Sequence, residues 1–291
     1  MALSTNSFKT VKKYIHFFVD FRKAFDYVVR ENLWYKLLKC GVRGKILNVI
    51  TSMYSSVRNK VFNNGEKSES YECNLGVRQG ECLSPFLFAV YVNDMEEHLS
   101  DENAGVTIED VKLVLLFYAD DLVMFSDTPE GLQLQIDNLF TYCNRWKLTL
   151  NTDKSRIVVF KKGNRPLNFI WHFGEDVLKV TNEIPYLGIV FSANGSFNKA
   201  QANLAKQANK AVFMLRKKLL QFNNVKPEHY LDLFDKFISP VLSYGCEVWG
   251  FHPSPDIEKV HLSFCKRILS VKKRHKMILY MVNFLDIQCR L

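Results

Sequence analysis

The sequence predicts an α+β protein, with strands and helices mixed to about residue 195 and helices alone from about residue 196. Three observations carry this. Two short apolar stretches, Tyr14–Val19 and Val114–Phe125, have the Val, Leu and Phe content of buried strands. Two longer segments, 84–98 and 129–146, repeat apolar residues at helical spacing. Past the Asn194–Gly195 turn the pattern is wholly helical.

In chain order, residues 14–20 read as a strand that ends on Asp20. Leu33, Leu37, Leu38 and Val42, then Ile46, Val49, Ile50 and Met53, make 30–56 helical, with Gly41 dividing it in two. Residues 57–80 read as a β-hairpin turned at Asn63-Asn64-Gly65, followed by a glycine-flanked loop. Ser84-Pro85 opens a helix, the serine capping free N–H groups and the proline losing no bond at the first position. Phe86, Leu87, Val90, Tyr91 and Met95 line its expected inner face. Thr128-Pro129-Glu130 opens another, with Leu132, Ile136, Leu139, Cys143 and Trp146 as its buried stripe. Residues 155–160 and 186–191 read as strands.

Between the two helical segments, Asp120 and Asp121 interrupt an apolar run and fall at the tip of a hairpin. Adjacent like charges at an apolar tip are costly unless neutralised. Either they form a solvated turn, or a divalent cation with hard oxygen ligands sits there. Asp20, at the end of a second apolar strand, supplies a third carboxylate. Three carboxylates brought together at strand ends suit a two-metal site for phosphoryl transfer.

The composition is compatible with this chemistry. Of 291 residues 47% are hydrophobic and 24% charged, enough for a core and inconsistent with disorder. A net charge of +9 suits a polyanionic partner, or serves solubility alone. The seven cysteines (Cys40, Cys73, Cys82, Cys143, Cys246, Cys265 and Cys289) form no CxxC or CxxH pair, so no zinc site or disulfide framework is indicated. Their odd number and the size of the chain suggest a reducing, intracellular setting, nucleus or cytoplasm. The N-terminus lacks the apolar core of a secretory signal, and no apolar run has the roughly 20 residues of a spanning helix. Lys272-Lys273-Arg274-His275-Lys276 reads as a nuclear import signal or as a basic helix end.

Phe18-Val19-Asp20-Phe21-Arg22-Lys23-Ala24-Phe25-Asp26 and Phe117-Tyr118-Ala119-Asp120-Asp121 resemble the A and C motifs of reverse transcriptases, specifically those of non-LTR (LINE-type) retrotransposons. Gly76-Val77-Arg78-Gln79-Gly80-Glu81-Cys82-Leu83-Ser84-Pro85, between them, resembles the B motif. The resemblance implies a polymerase palm over residues 1–195, with a four-strand antiparallel sheet backed by helices, and an α-helical thumb over 196–291. It implies an RNA-directed DNA polymerase that uses Mg²⁺ or Mn²⁺, with RNA template, DNA primer and dNTPs as partners and no membrane.

The resemblance also assigns residues. Asp20 and Asp120 bridge two metals, Asp121 contacts them less directly or tunes charge, and the Phe21 carbonyl is a further ligand. Phe25 stacks under the sugar and excludes a 2′-hydroxyl, or is plain core. Gln79 touches template and incoming base; Arg78 contacts phosphate or is solvated. Asn151 and Lys154 resemble the D motif, with Lys154 the general acid for pyrophosphate or a solvated turn lysine. Tyr186-Leu187-Gly188-Ile189 resembles the primer grip, with Gly188 allowing close backbone approach. Val241–Trp249 resembles the thumb. Lys206, Lys210 and Lys217 share one helical face suited to phosphates, flanked by Arg216 and Lys218; a solvated face is the alternative.

The chain also departs from the family pattern. Only 19 residues precede Asp20, where the family carries its fingers, and Glu81-Cys82 stands where Cys-Pro is usual. No endonuclease and no Cys/His knuckle is present. The expectation is therefore weak polymerisation by the chain alone. The alternatives are a catalytically inactive retroelement remnant that only binds nucleic acid, or a binding protein reusing the same fold.

Overall fold

The strand Tyr14–Val19 is a short, nearly continuous apolar and aromatic run, as expected of a strand covered on both faces, and it lies at the centre of the molecule's main sheet. It pairs antiparallel with Asp121–Ser126 on one side and Arg156–Phe160 on the other. Leu115–Tyr118 extends the sheet beyond Asp121–Ser126, and Lys179–Val180 closes the far edge. The computed structural model describes residues 14–100, 104–161, 167–219, 221, 226–251 and 253–268. Lys272–Lys276, and with it the import-signal reading, lies outside the described residues, as does Cys289.

The sheet has five strands, not the four expected. The additional edge strand is only two residues long and runs parallel to Arg156–Phe160, too short to leave a periodic signal. Ile15, Phe17 and Val19 point to one face, together with Leu122, Met124, Ile157 and Val159, and all are buried. The helix Pro129–Trp146 packs on that face, burying Leu132, Ile136, Leu139, Cys143 and Trp146 as expected. Thr128 caps it, its hydroxyl accepting from the Gly131 N–H at 3.1 Å. Each large apolar side chain so buried contributes roughly 1.5–3 kcal/mol.

The 30–56 segment divides at Gly41 as expected, into helices Arg30–Lys39 and Gly44–Tyr54. The Asn64-Gly65 turn joins Phe62–Asn63 to Glu66–Lys67, both turn residues having positive φ.

The 84–98 segment differs from its expected form. It is two helices, Ser84–Val92 and Met95–Leu99, separated where the Asp94 carboxylate accepts from Lys36 Nζ and, at 2.6 Å, from the Tyr142 hydroxyl. Phe86 is exposed, and Phe88 is buried in its place. The run SPFLFAVYV is apolar on all sides, so spacing alone does not select its inner face. Ser84 is not a cap; its hydroxyl donates to the Arg78 carbonyl and closes the preceding loop.

The expected 186–191 strand is a ribbon, Glu183–Tyr186 with Ile189–Ser192, turned at Leu187 and Gly188 with φ of +45° and +80°. The chain forms two compact units, 1–184 with 193–195, and 185–192 with 196–291. Relative to a division at 195, residues 185–192 fall in the second unit. That unit has its own core of Ile189, Leu204, Ala208, Phe234, Trp249 and Phe264 among others. It holds helices Asn198–Leu219, Pro227–Phe237, Ser239–Leu242, Cys246–Trp249 and Pro255–Ile268.

Candidate active site

The central sheet brings the acidic residues to one end. Val19 pairs with Leu122, so one further step of the same register sets Asp20 opposite Asp121. Tyr118 pairs with Asp121, leaving Ala119 and Asp120 as a two-residue hairpin tip. Ala119 has φ +56°, a left-handed conformation that costs a non-glycine residue about 1–2 kcal/mol. The strained turn holds Asp120 exposed at the apex while Asp121 is half-buried beside it. Burial raises the Asp121 carboxyl above the usual range, and the negative charges of Asp120 and then Asp20 raise it further.

The three carboxylates therefore sense one another, but they do not converge as expected. Among the described residues no three His, Cys, Asp or Glu are placed to hold one metal ion. Asp20 Oδ2 accepts from Asn151 Nδ2 at 3.0 Å and lies 4.0 Å from Lys154 Nζ, both in the 148–155 loop. The donor chemistry still fits a hard divalent cation: anionic oxygens, one of them raised by its neighbours' charge. The Phe21–Leu150 bridge is made by bonds from Arg22 N–H to the Thr149 carbonyl and from Asn151 N–H to the Asp20 carbonyl. That bridge leaves the Phe21 carbonyl unused.

The 148–155 loop buttresses Asp20 at three points. Besides the Asn151 contacts, the Asp20 N–H donates to the buried Ser155 Oγ at 3.0 Å. Ser155 carries no sequence signal for this role, because its partner is 135 residues away. Lys154 is an exposed neighbour of Asp20, near the acidic apex.

Phe25 is half-buried, its ring 4.9 Å from that of Phe88. The Val77 N–H donates to the Phe25 carbonyl at 2.8 Å, and the Gly76 N–H to the Val28 carbonyl at 2.8 Å. Gly76 has φ +81°, and a Cβ there would lie 2.6 Å from the Asp26 carbonyl oxygen, so only glycine allows the two segments this close. Gln79 donates to Asp26 Oδ1 at 3.2 Å, a role for Asp26 that its place in the motif did not reveal. Arg78 is partly exposed at the edge of this segment; it donates to the Met53 carbonyl at 2.7 Å and pairs with Glu81 at 2.9 Å. Buried Arg30 donates to the carbonyls of Gly76 and Tyr54, both at 3.0 Å. A cleft of about 470 Å³ opens here, lined by Asp26, Arg30, Tyr71, Arg78 and Gln79 among others.

In the helical unit, Lys206, Lys210 and Lys217 stand exposed along Asn198–Leu219. The close approach at Gly188 is to a side chain of the same unit: a Cβ would lie 3.0 Å from the Tyr244 ring. The Tyr244 hydroxyl donates to the Leu187 carbonyl at 2.9 Å and fixes the turn. Trp249 Nε1 donates to the Tyr244 carbonyl at 3.0 Å, so the Val241–Trp249 segment is tied to that ribbon.

An acid-tipped hairpin set beside an acid-ended strand, on a helix-backed antiparallel sheet, is the architecture of a nucleic-acid polymerase palm. The chain belongs to the reverse transcriptase (RNA-dependent DNA polymerase) family, whose sequence pattern matches residues 3–191. Divalent metal ions serve this family generally. It is similar to the RNA-directed DNA polymerase from mobile element jockey of Drosophila funebris, 23% identical over 87% of this chain and 28% of that protein. A Pol polyprotein from the type-1 retrotransposable element R2 of Popillia japonica is 28% identical over 79% of this chain and 32% of its own length. Among solved structures, telomerase from Candida tropicalis in complex with a fragment of telomeric RNA matches with TM-score 0.48 and 12% identity, over 97% of this chain and 43% of that one. The chain spans about a third or less of the length of these curated relatives. Among the described residues no helix is long and apolar enough to cross a membrane.

Proposed function

We propose that this chain is the palm and thumb of a non-LTR retrotransposon reverse transcriptase, an RNA-directed DNA polymerase acting on an RNA template, a DNA primer and dNTPs. The observation that carries the reading is the register that sets Asp20 opposite Asp121 with Asp120 at the adjoining tip. Asp20, Asp120 and Asp121, with the Phe21 carbonyl, are the residues to hold Mg²⁺ or Mn²⁺. Bound there, the ions supply charge neutralisation for the attacking and leaving oxygens of an in-line displacement. In the reaction the primer 3′-hydroxyl releases its proton to solvent and its oxygen bonds to the α-phosphorus of the dNTP as the bond to pyrophosphate breaks. Lys154, 4.0 Å from Asp20, gives its proton to that leaving group in this reading. Phe25, held against Phe88, supports the sugar and excludes a 2′-hydroxyl. Gln79, oriented by Asp26, meets the incoming base. Lys206, Lys210 and Lys217 track phosphates.

Primer extension on poly(rA)/oligo(dT) tests this. The experiment uses the chain alone and then the chain with the upstream segment of a jockey or R2 relative fused before Met1. Extension that disappears with Asp120→Asn supports the reading. Its absence from both forms, with nucleic-acid binding intact, supports a second reading: an inactive remnant that only binds. That no three acidic groups among the described residues are set to hold one metal ion is the observation that favours this alternative.

A further inference from the structure

On the Asn198–Leu219 helix, Leu204, Ala208 and Val212 are buried, which fixes the orientation of its other faces. At about 100° per residue, Lys206, Lys210, Phe213 and Lys217 then fall within an outward arc of about 60°. Phe213 sits inside the lysine stripe and is 63% exposed. A phenyl ring held in water among cations contributes nothing to the core of this unit, and the next residue, Met214, is also exposed. Aromatic faces interleaved with basic side chains form the platform that binds unpaired bases.

Beside the stripe, the same helix and Pro255–Ile268 enclose a cleft of about 360 Å³. The small residues Ala202 and Ala205 open it, and Lys206, Asn209, Lys259 and Ser263 line it with polar groups. Asp256 is the one carboxylate among the lining residues, and it is paired with Lys259 at 3.1 Å. Two ammonium groups against one carboxylate leave the cleft suited to a monoanion. Lys206 lies seven residues from Phe213, about 10 Å along the axis. That distance is about three phosphate steps of a stacked strand.

We infer that the helical unit carries a single-strand site: a phosphodiester seated in the cleft between Lys206 and Lys259, with an unpaired base stacked on Phe213. This rests on the reading of the lysine face as a nucleic-acid surface and adds which part of the nucleic acid it takes. A base inside a duplex has both faces covered by its neighbours, so Phe213 discriminates in favour of an unpaired nucleotide.

The test is fluorescence anisotropy with labelled (dT)12 and a blunt duplex of equal length, over a salt series, using the full chain. Phe213→Ala is expected to weaken (dT)12 binding about five- to a hundred-fold, the range for loss of one stacked base. Duplex affinity stays within about twofold, and Phe213→Tyr binds (dT)12 like wild type. Lys259→Gln is expected to reduce the log–log salt slope on (dT)12 by about 0.7. Equal (dT)12 affinity for wild type and Phe213→Ala overturns the inference, as does a slope unmoved by Lys259→Gln. In either case a loss of binding by the Lys206, Lys210 and Lys217 triple alanine variant keeps the underlying nucleic-acid reading; indifference to the triple variant removes that reading as well. A wild-type dimer in light scattering that becomes monomeric with Phe213→Ala also overturns it, by assigning the ring to self-association.

Discussion

His16 is the third of the six residues of the central strand, and its ring lies among aromatic side chains, with centroids 4.6 Å from Phe125 and 4.5 Å from Phe160. Burial lowers its pKa from 6.5 to about 4. The unfolded chain therefore binds a proton at this site that the folded protein refuses until the pH is much lower. Stability contributed by the neutral ring is complete above the unfolded value and is lost as pH falls from about 6.5 toward 4. With these two values, the loss between pH 7 and pH 5 is about 2 kcal/mol. At roughly 2–4 °C per kcal/mol, this corresponds to a fall of about 4–8 °C in Tm. His16→Phe removes the titration while keeping a ring among rings. The assay is thermal and urea unfolding of both proteins at pH 7, 6 and 5, a window above most carboxylate titrations. The variant is expected to lose about 2 kcal/mol less than wild type between pH 7 and 5. Parallel losses in the two proteins would refute a neutral His16 held among the aromatic rings.

Other substitutions test the packing around the site and the sugar pocket. Lys36 is 5% exposed; its ammonium lies 3.7 Å from the Trp146 ring centroid and bonds to Asp94, which is 33% exposed. Asp94→Ala removes the ammonium's counter-charge while leaving its 2.9 Å bond to the Tyr142 hydroxyl, and is expected to cost about 2–4 kcal/mol, toward the lower part of the buried-pair range. Lys36→Met refills the volume, and Tyr142 still bonds to Asp94, so under about 2 kcal/mol is expected; urea unfolding of both variants checks the order. Gly76→Ala forces a Cβ against the Asp26 carbonyl at positive φ and is expected to cost about 2–4 kcal/mol, read from the same unfolding curves. Phe25→Val is expected to raise ribonucleotide incorporation relative to deoxyribonucleotide in the fused, extending form; an unchanged ratio returns Phe25 to plain core.

The acidic apex was legible in the sequence because carboxylates are rare within apolar strands, and strand alternation then fixes where they point. The Pro129–Trp146 helix was legible because its polar face is polar and its apolar stripe is continuous. The Ser84–Val92 helix was legible as a helix but not in its phase, since apolar residues surround it. The D-motif resemblance marked Asn151 and Lys154 but not that Asn151 and Ser155 bond to Asp20, since these contacts span 131 and 135 residues and Ser155 has no signal of its own. Lys36 was hidden for a similar reason, because a helix lysine is ordinarily solvated and its partner Asp94 lies 58 residues on. Gly188 signalled a close approach correctly but not what approaches, which is Tyr244.

The proposed polymerase chemistry requires Asp20, Asp120 and Asp121 to bind divalent cations, although in this structure they are not set to hold one ion. Isothermal calorimetry of Mg²⁺ and Mn²⁺ binding to the folded chain tests this requirement, with Asp120→Asn and Asp121→Asn alongside. Like charges directly opposed across strands cost about 0.2–1 kcal/mol, so Asp121→Asn is expected to stabilise the metal-free protein by up to about 1 kcal/mol. Saturable binding by wild type, weakened in Asp121→Asn and lost in Asp120→Asn, is the expected result. Equal and negligible heats for all three proteins would contradict it.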